Sequence, residues 1–570
     1  MNYDKNVERK WWKEAVVYQV YPRSFYDSNG DGIGDLKGIS EKLDYIKDLG
    51  VDVIWLNPVY RSPNDDNGYD ISNYFEIMQE FGTMADWEQL LSGMHRRGLR
   101  MIMDLVVNHT SDEHQWFINS RSSRDSEFRD YYIWRDSDDG QPPNDWGSYF
   151  SGSAWDWDPQ AGQYYLHLFT KKQPDLNWEN QRVRNDIFTM IKWWLDKGID
   201  GFRMDTINML SKVPGLPSVS GVRDGRVHHA GRYFTNGPRI HEYLREMHDK
   251  VLSNYDIFSV GECPEVSPEI ALEYVSPEAG QLDMLFQFEH MGVDHSPESK
   301  WEHAPFDLVR FKQIISKWQT ELHGRGWNSN YLMNHDQPRS VSRFGDEGEF
   351  RTESAKMLLT FLMTLEGTPY IYQGEEIGMI NSGLSDINDY RDVEILNHYR
   401  EAKNAGLDLD AVIEQYMRMG RDNSRTPMQW TAGRNAGFTS GRPWMKPGKS
   451  WKEINVESDL LSPDSIIKYF KRLTEIRKQN FTLIYGDYEQ YLPGDKRLFI
   501  YRRSLDKECF LIILNFSRDE VDVSRDVLFN ANEFENSEVI ISNYLVPEDG
   551  FKREIRPFES RVYKISGGKD

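Results

Sequence analysis

Cysteine is almost missing from this chain: Cys263 and Cys509 are the only two among 570 residues. That excludes a disulfide framework and makes a reducing, cytoplasmic setting the expectation. Long hydrophobic runs are missing too. No stretch approaches the roughly 18 apolar residues that a membrane-crossing helix needs. The N-terminal MNYDKNVERKWWKEAVVYQV shows neither an apolar leader core nor a small-residue cleavage site. The triplets at Asn108, Asn480 and Asn515 fit the glycosylation pattern but, without an export signal, read as chance matches. Positive charge is in deficit: 68 Lys and Arg against 91 Asp and Glu leave a net charge of -23. An acidic surface repels polyphosphate chains and anionic headgroups, so neither nucleic acid nor membrane is an expected partner. Internal repeats and low-complexity tails are absent as well.

What is present is length and aromatic bulk. A chain of 570 residues exceeds one ordinary core. Eighteen Trp, 30 Tyr and 28 Phe are enough to fill a large interior, or to serve as flat platforms for ligand rings. Short apolar runs recur: AVVYQVY (15–21), VDVIWL (51–56), LRMIMDLVV (99–107), IDGFRMD (199–205), IFSVGE (257–262), LDMLFQFE (282–289), NSNYLMNHD (328–336) and TPYIYQGEE (368–376). Amphipathic segments such as ISEKLDYIKDLG and VRNDIFTMIKWWLDKG lie between them. Near-continuous apolar strands imply burial on both faces, as in a parallel sheet. Eight alternating units predict an α/β fold, a (β/α)8 TIM barrel.

The barrel is expected over 1–109 and 178–485. A polar segment rich in Trp, Asp and Gly follows the third strand, and 110–177 is read as an inserted subdomain over the barrel mouth. After residue 485 the pattern changes to RLFIYRRS, CFLIILNFS, SEVIISNYLV and RVYKIS, so 486–570 is read as a C-terminal antiparallel β-sandwich domain.

Several barrel strands end in charge. Asp205, Glu262 and Asp336 are expected at the ends of strands four, five and seven, on the single face where a barrel carries its site. Two carboxyl groups flanking one bond are the minimal equipment for glycoside hydrolysis. Any one of the three alone would read as an ordinary strand-end acid. Arg203 and Asp205 sit within the apolar GFRMD, and burying such charges is costly unless they are paired or used. A separate loop, DSNGDGIGD (27–35), spaces oxygens at Asp27, Asn29, Asp31, the Ile33 carbonyl and Asp35, as a hard cation requires. It departs from an EF-hand because Gly38 stands at the twelfth position. Its glycines do not spell a dinucleotide fingerprint, since Asp35 occupies the last place.

The stretches DLVVNH (104–109), QPDLN (173–177), GFRMD (201–205), GEC (261–263), MNHD (333–336) and GTPYIYQGEE (367–376) resemble, in order, the signature regions of glycoside hydrolase family 13, the α-amylase family. The resemblance implies Asp205 as nucleophile, Glu262 as general acid and then base, and Asp336 as the carboxylate that holds sugar hydroxyls and stabilises the transition state. It implies that Arg203 keeps Asp205 ionised, and that His109 and His335 hydrogen-bond the sugar. The likeness is nearest to oligo-1,6-glucosidases, maltase-type α-glucosidases and sucrose isomerases, which are exo-acting. In DDNGYD (65–70), Asp66 would grip the terminal glucose and Tyr69 would stack on its ring. Phe169 and Gln173 would line the same pocket, and Arg421 in GRDNSRTPMQW (420–430) would close it. The family also places a structural Ca2+, or Mg2+, in the 27–35 loop, and no organic cofactor is expected. A monomer acting on small α-glucosides is the expectation.

Within this group the residue after the nucleophile is held to sort linkage, valine with α-1,6 bonds and threonine or alanine with α-1,4 bonds and sucrose. Here it is Thr206, which points to a broad α-glucosidase, with isomaltose not excluded. The alternatives are a strict oligo-1,6-glucosidase and a sucrose isomerase making isomaltulose or trehalulose. Isomerases of this group carry an arginine-rich segment after strand six, whereas EHMGVDHSPES (289–299) has no arginine. A catalytically dead sugar-binding relative would lack one of the three carboxyls, and an endo-acting amylase would lack the Asp66 and Tyr69 motif. His228 and His229 read as a surface pair within an insertion, and Cys263 and Met333 as variation around the site.

Overall fold

The computed structural model describes residues 8–137, 140–221, 226–296, 299–523, 537–544 and 553–565. Parts of the expected insertion (138–139), of the segment after strand six (297–298) and of the C-terminal domain therefore lie outside the described residues. Each of the eight apolar runs contributes one parallel strand: β1 Val17–Val20, β2 Val53–Leu56, β3 Arg100–Val106, β4 Gly201–Asp205, β5 Phe258–Glu262, β6 Met284–Phe286, β7 Ser329–Asn330 and β8 Thr368–Tyr372. Their order is β6-β5-β4-β3-β2-β1-β8-β7, and a parallel bridge between Leu285 and Asn328 closes the ring. β1, β2, β4 and β8 are buried along their whole length, which is why their sequences do not alternate. Gly201 lets β4 lie close to β5: at φ +149° a Cβ there would stand 2.0 Å from the Phe258 carbonyl oxygen.

Strand seven is shorter than its sequence suggests. It ends at Asn330, so Asn334, His335 and Asp336 stand in the loop beyond. There Asn334 Oδ1 accepts a hydrogen bond from the Asp336 amide at 2.7 Å, a local turn that diverts the chain from the ladder. The helices follow their apolar periodicity. Gln181–Asp196 buries Val183, Ile187, Ile191 and Trp194 on one face, and the Asn180 side chain caps its first turn.

Within 110–177 a three-stranded antiparallel sheet joins Trp134–Arg135, Gln163–Leu166 and Trp155–Asp158. A small apolar cluster that includes Trp146, Leu168, Met209 and Phe234 packs this insertion against the loop after β4. At the other end of the chain, β9 Asp487–Tyr491, β10 Leu498–Leu505, β11 Glu508–Asn515, β12 Ser537–Ser542 and β13 Ser560–Ile565 form an antiparallel sheet in the order β9-β10-β11-β13-β12. Its side chains alternate with period two. Phe499, Tyr501, Phe510 and Ile512 continue the barrel core, while Leu498, Ile500, Leu511 and Ile513 form a second core on the outer face.

Two buried cations stitch this sheet to the barrel through carbonyl oxygens. Lys312, on a barrel helix, donates to Leu492, Asp495 and Leu498 of the sheet domain. Arg503, on β10, donates back to Thr364, Leu483 and Gly486. Arg477, a third buried cation, donates to Met363, Leu365, Gly367 and Leu483 and ties barrel segments to one another.

Candidate active site

Parallel pairing fixes the centre. Asp104 of β3 lies opposite Arg203 of β4, and Val106 opposite Asp205. β5, paired with β4 on the other side, delivers Glu262. The Arg203 guanidinium joins all three acids: Nη1 donates to Asp205 Oδ1 at 2.6 Å and to Asp104 Oδ1 at 2.7 Å, and Nη2 lies 2.7 Å from Glu262 Oε2. Trp55 Nε1 and the Tyr69 hydroxyl also donate to Asp104, at 2.7 and 3.2 Å. A buried cation shared among three carboxylates is paired through both Nη atoms, although its Nε finds no acceptor, and this pairing offsets the cost of charge inside GFRMD.

Burial pushes the Asp205 carboxyl up to about 6, against the opposing pull of Arg203. The expectation that Arg203 would depress this group is thus met only in part, because desolvation outweighs the cation. Glu262 is pushed up to about 7, by burial first and then by the neighbouring charges of Asp205 and Asp336, with Arg203 again opposing. Asp336 behaves in the opposite way. Burial would raise it, but His335, Arg421 and Arg425 hold it well below the ordinary carboxylate range. Three carboxyls with separated proton affinities are what acid, base and charge-stabilising roles require.

His335 is held as a spacer. Its Nδ1 faces the side-chain amides of Gln19 (2.8 Å) and Asn57 (3.3 Å), and its Nε2 lies 3.2 Å from Asp336 Oδ2. Its ring stacks on Tyr69 with centroids 5.2 Å apart and 7° between planes. The Tyr69 face covered by His335 is therefore closed to a sugar.

The remaining expected pocket residues meet beside this centre. Asp66 receives Gln173 Nε2 at 3.1 Å on one oxygen and lies 3.4 Å from Arg421 Nη2 on the other. Arg421 Nη1 lies 3.3 Å from Asp336 Oδ1, so one guanidinium links both acids. Burial pushes Asp66 up to about 7 despite Arg421. His109 Nε2 lies 3.1 Å from the Tyr69 carbonyl oxygen, and its ring packs on Phe169 at 5.0 Å. Thr206 adopts φ 39°, a left-handed conformation that β-branched residues avoid. In that geometry its amide donates to Glu262 Oε2 at 3.1 Å and its hydroxyl to Asp205 Oδ2 at 3.4 Å. It therefore touches both catalytic candidates.

The 27–35 loop lies apart from this group. Its oxygens accept backbone amides two residues on: Asp27 from Asn29, Asn29 from Asp31, and Asp31 from Ile33. Asp35 caps the following helix and receives Ser28. Among the described residues no group of three or more His, Cys, Asp or Glu is gathered as a metal cluster.

Four participants carry no role in the sequence reading. Asp104 and Arg425 stand inside quoted motifs, and Arg425 Nη2 pairs directly with Asp336. Asp392 fixes Arg421, with Nε at 3.0 Å. Asp70 holds the loop of Asp66 by accepting the amides of Asp65 and Asp66. Only an unpartnered charge in an apolar context signals such groups, and Asp392 in DYRDVEIL has none.

The model for the alpha amylase catalytic domain matches residues 19–486. An oligo-1,6-glucosidase of Parageobacillus thermoglucosidasius is 56% identical, covering 98% of this chain and 100% of that one. The crystal structure of Bacillus licheniformis trehalose-6-phosphate hydrolase superposes with a TM-score of 0.91 at 48% identity, covering 98% and 100% of the two chains. That of isomaltulose synthase from Klebsiella sp. LX3 does so with 0.93 at 42%, with the same coverage.

Proposed function

Because this chain belongs to the alpha-amylase family, we propose that it is a retaining, exo-acting α-glucosidase. It would release the non-reducing-end glucosyl unit of maltose-, sucrose- and isomaltose-type substrates, with some transglucosylation. The observation that carries this reading is the Arg203 guanidinium joining Asp205 to Glu262, with Asp66 and Arg421 paired behind them. Asp66, Arg421 and Gln173 would hold the terminal glucose and block passage of a longer chain, so only an end could enter. His109, His335 and Asp336 would hydrogen-bond the same sugar, with Phe169 and Tyr69 walling it.

Asp205 attacks the anomeric carbon while Glu262 gives its proton to the leaving oxygen. A β-glucosyl-enzyme forms, and the leaving sugar departs. Glu262, now a carboxylate, takes a proton from water, which attacks the same carbon and frees Asp205. Two inversions return the α configuration. Asp336, kept ionised by its cations, stabilises the positive charge that develops on the sugar ring. Proton NMR of the first glucose released should show the α-anomer, and Asp205→Asn should abolish turnover in a folded protein. The β-anomer appearing first, or near-normal activity of D205N, would overturn the mechanism.

The 56% identical oligo-1,6-glucosidase favours a second reading, a strict preference for α-1,6 bonds. Rates on maltose, sucrose and isomaltose side by side decide between the two. Sucrose converted to a new disaccharide would instead mark an isomerase. We further propose that Asp27, Asn29, Asp31, the Ile33 carbonyl and Asp35 hold a structural Ca2+ or Mg2+. Asn29 and Asp31 each accept one backbone amide and keep lone pairs for a hard cation. Asp27 already accepts the amides of Asn29, Gly30 and Gly32 and the Thr439 hydroxyl, and would have to exchange some of these for the ion. A cytoplasmic monomer is part of the same proposal, the cytoplasmic setting being supported by the presence of only two cysteines in 570 residues. Among the described residues no helix is long and apolar enough to cross a membrane.

A further inference from the structure

Glu265 lies just beyond Glu262 on the loop leaving β5, and its backbone is in the left-handed region at φ 56°. A glutamate persists there only when its surroundings impose it. The surroundings do so. Asn236 Nδ2 donates to the Glu265 carbonyl at 3.1 Å, and Asn208 Nδ2 to that of Pro264 at 2.8 Å. The carboxylate lies against Gly231, where even a Cβ would come within 2.4 Å of Oε1. Its Oε1 is 2.7 Å from His229 Nε2.

A chain of rings leads from the glucose pocket to this pair. His109 packs on Phe169 at 5.0 Å, Phe169 stacks on Tyr149 at 5.5 Å, and Tyr149 meets His229 at 5.7 Å. Beside Glu265, the Tyr149 hydroxyl and Thr235 Oγ1 are both buried, and the Tyr149 hydroxyl faces Thr235 and the Glu265 carboxylate. Two hydroxyls gathered beside a half-exposed carboxylate form a polar cluster that the hydroxyls of a neutral sugar can join. Among the described residues, Arg343 is paired with Asp294, Lys300 with Glu394, and Arg421 with Asp392.

On the α-glucosidase reading above, we propose that Glu265, oriented by His229, is a specificity-determining residue for the leaving sugar. It accepts hydroxyls of a neutral sugar, with Tyr149 and Thr235 completing the contact, and it repels a phosphorylated one. Like charges placed face to face are the simplest device for rejecting a substrate. This chain would then differ in substrate class from its neighbour named trehalose-6-phosphate hydrolase.

The test compares wild type, Glu265→Gly and Glu265→Gln on isomaltose, maltose, p-nitrophenyl α-glucoside and trehalose 6-phosphate. Glycine suits the left-handed backbone, so E265G keeps the loop. The nitrophenyl leaving group offers no hydroxyl. In E265G the ratio of disaccharide to nitrophenyl kcat/KM should fall about tenfold or more, mostly through KM. In E265Q the ratio of trehalose 6-phosphate to disaccharide should rise by a similar factor of about ten. Both ratios unchanged, or all substrates falling together in E265G, would overturn the proposal. Wild type inactive on every neutral glucoside would instead overturn the α-glucosidase reading on which it rests.

Discussion

Consider Arg203→Gln. In the native site the guanidinium lies within 2.7 Å of oxygens on Asp104, Asp205 and Glu262. Removing the charge leaves burial and mutual repulsion unopposed, and a carboxyl that loses such a neighbour rises by roughly 1–3 pKa units. Wild-type kcat/KM should follow a bell bounded by Asp205 at about 6 and Glu262 at about 7, since the free enzyme needs the first ionised and the second protonated. In R203Q both limbs should move to higher pH. With a shift of about 2 units, only about 1% of Asp205 would be ionised at pH 6, so activity there should fall roughly 50-fold. Losing one partner of a buried ionic group also costs about 3–5 kcal/mol of stability, so Arg203→Lys belongs beside it. Lysine keeps the charge but cannot fork between two acids, and its limbs should fall between the other two profiles. The assay is kcat/KM for p-nitrophenyl α-glucoside across the pH range, with circular dichroism to confirm folding. A folded R203Q whose limbs stay where they are would refute the electrostatic account.

Glu375 offers a test of stability alone. Burial pushes it up to about 8, far above its unfolded value, so it adds stability at low pH that is lost as pH rises towards 8. Glu375→Gln should therefore match wild type near pH 5 and exceed its Tm near pH 8, and a gap that does not change with pH would contradict this. If the 27–35 loop binds Ca2+, a hundredfold excess over Kd adds about 2.7 kcal/mol. EDTA should lower Tm, Ca2+ should restore it, and Asp27→Ala should erase the difference; a Tm indifferent to both would remove the ion. Thr206→Val deletes the hydroxyl on Asp205 while keeping the shape. The isomaltose-to-maltose ratio should rise, with one contact worth about 1–3 kcal/mol, and an unmoved ratio would strip Thr206 of its linkage role.

The barrel was legible because each strand is a short apolar run between amphipathic helices, a pattern set by burial on both faces. Asp205 and Glu262 were legible as candidate site carboxyls because they end such runs. Asp336 was placed on a strand and stands in a loop, because the turn closed by Asn334 involves a side chain that apolar periodicity does not register. Asp392 escaped notice for a related reason. Its partner Arg421 is distant from the barrel strands and meets it only through the fold. The pull of Arg203 on Asp205 is legible because the cation stands in GFRMD, whereas the burial that outweighs it is not.

The carbonyl-bound cations between barrel and sheet bear on how the chain could be shortened. Lys312 and Arg503 reach across the boundary in opposite directions, so neither half can be cut away cleanly. A barrel ending near residue 485 would keep Lys312 without the three carbonyls that neutralise it, facing an apolar surface stripped of Phe499, Tyr501 and Phe510. The two parts are thus obligate companions in folding, and heat should melt them in a single transition. Catalysis at one end of the barrel is tied in this way to a sheet that touches none of the reacting atoms.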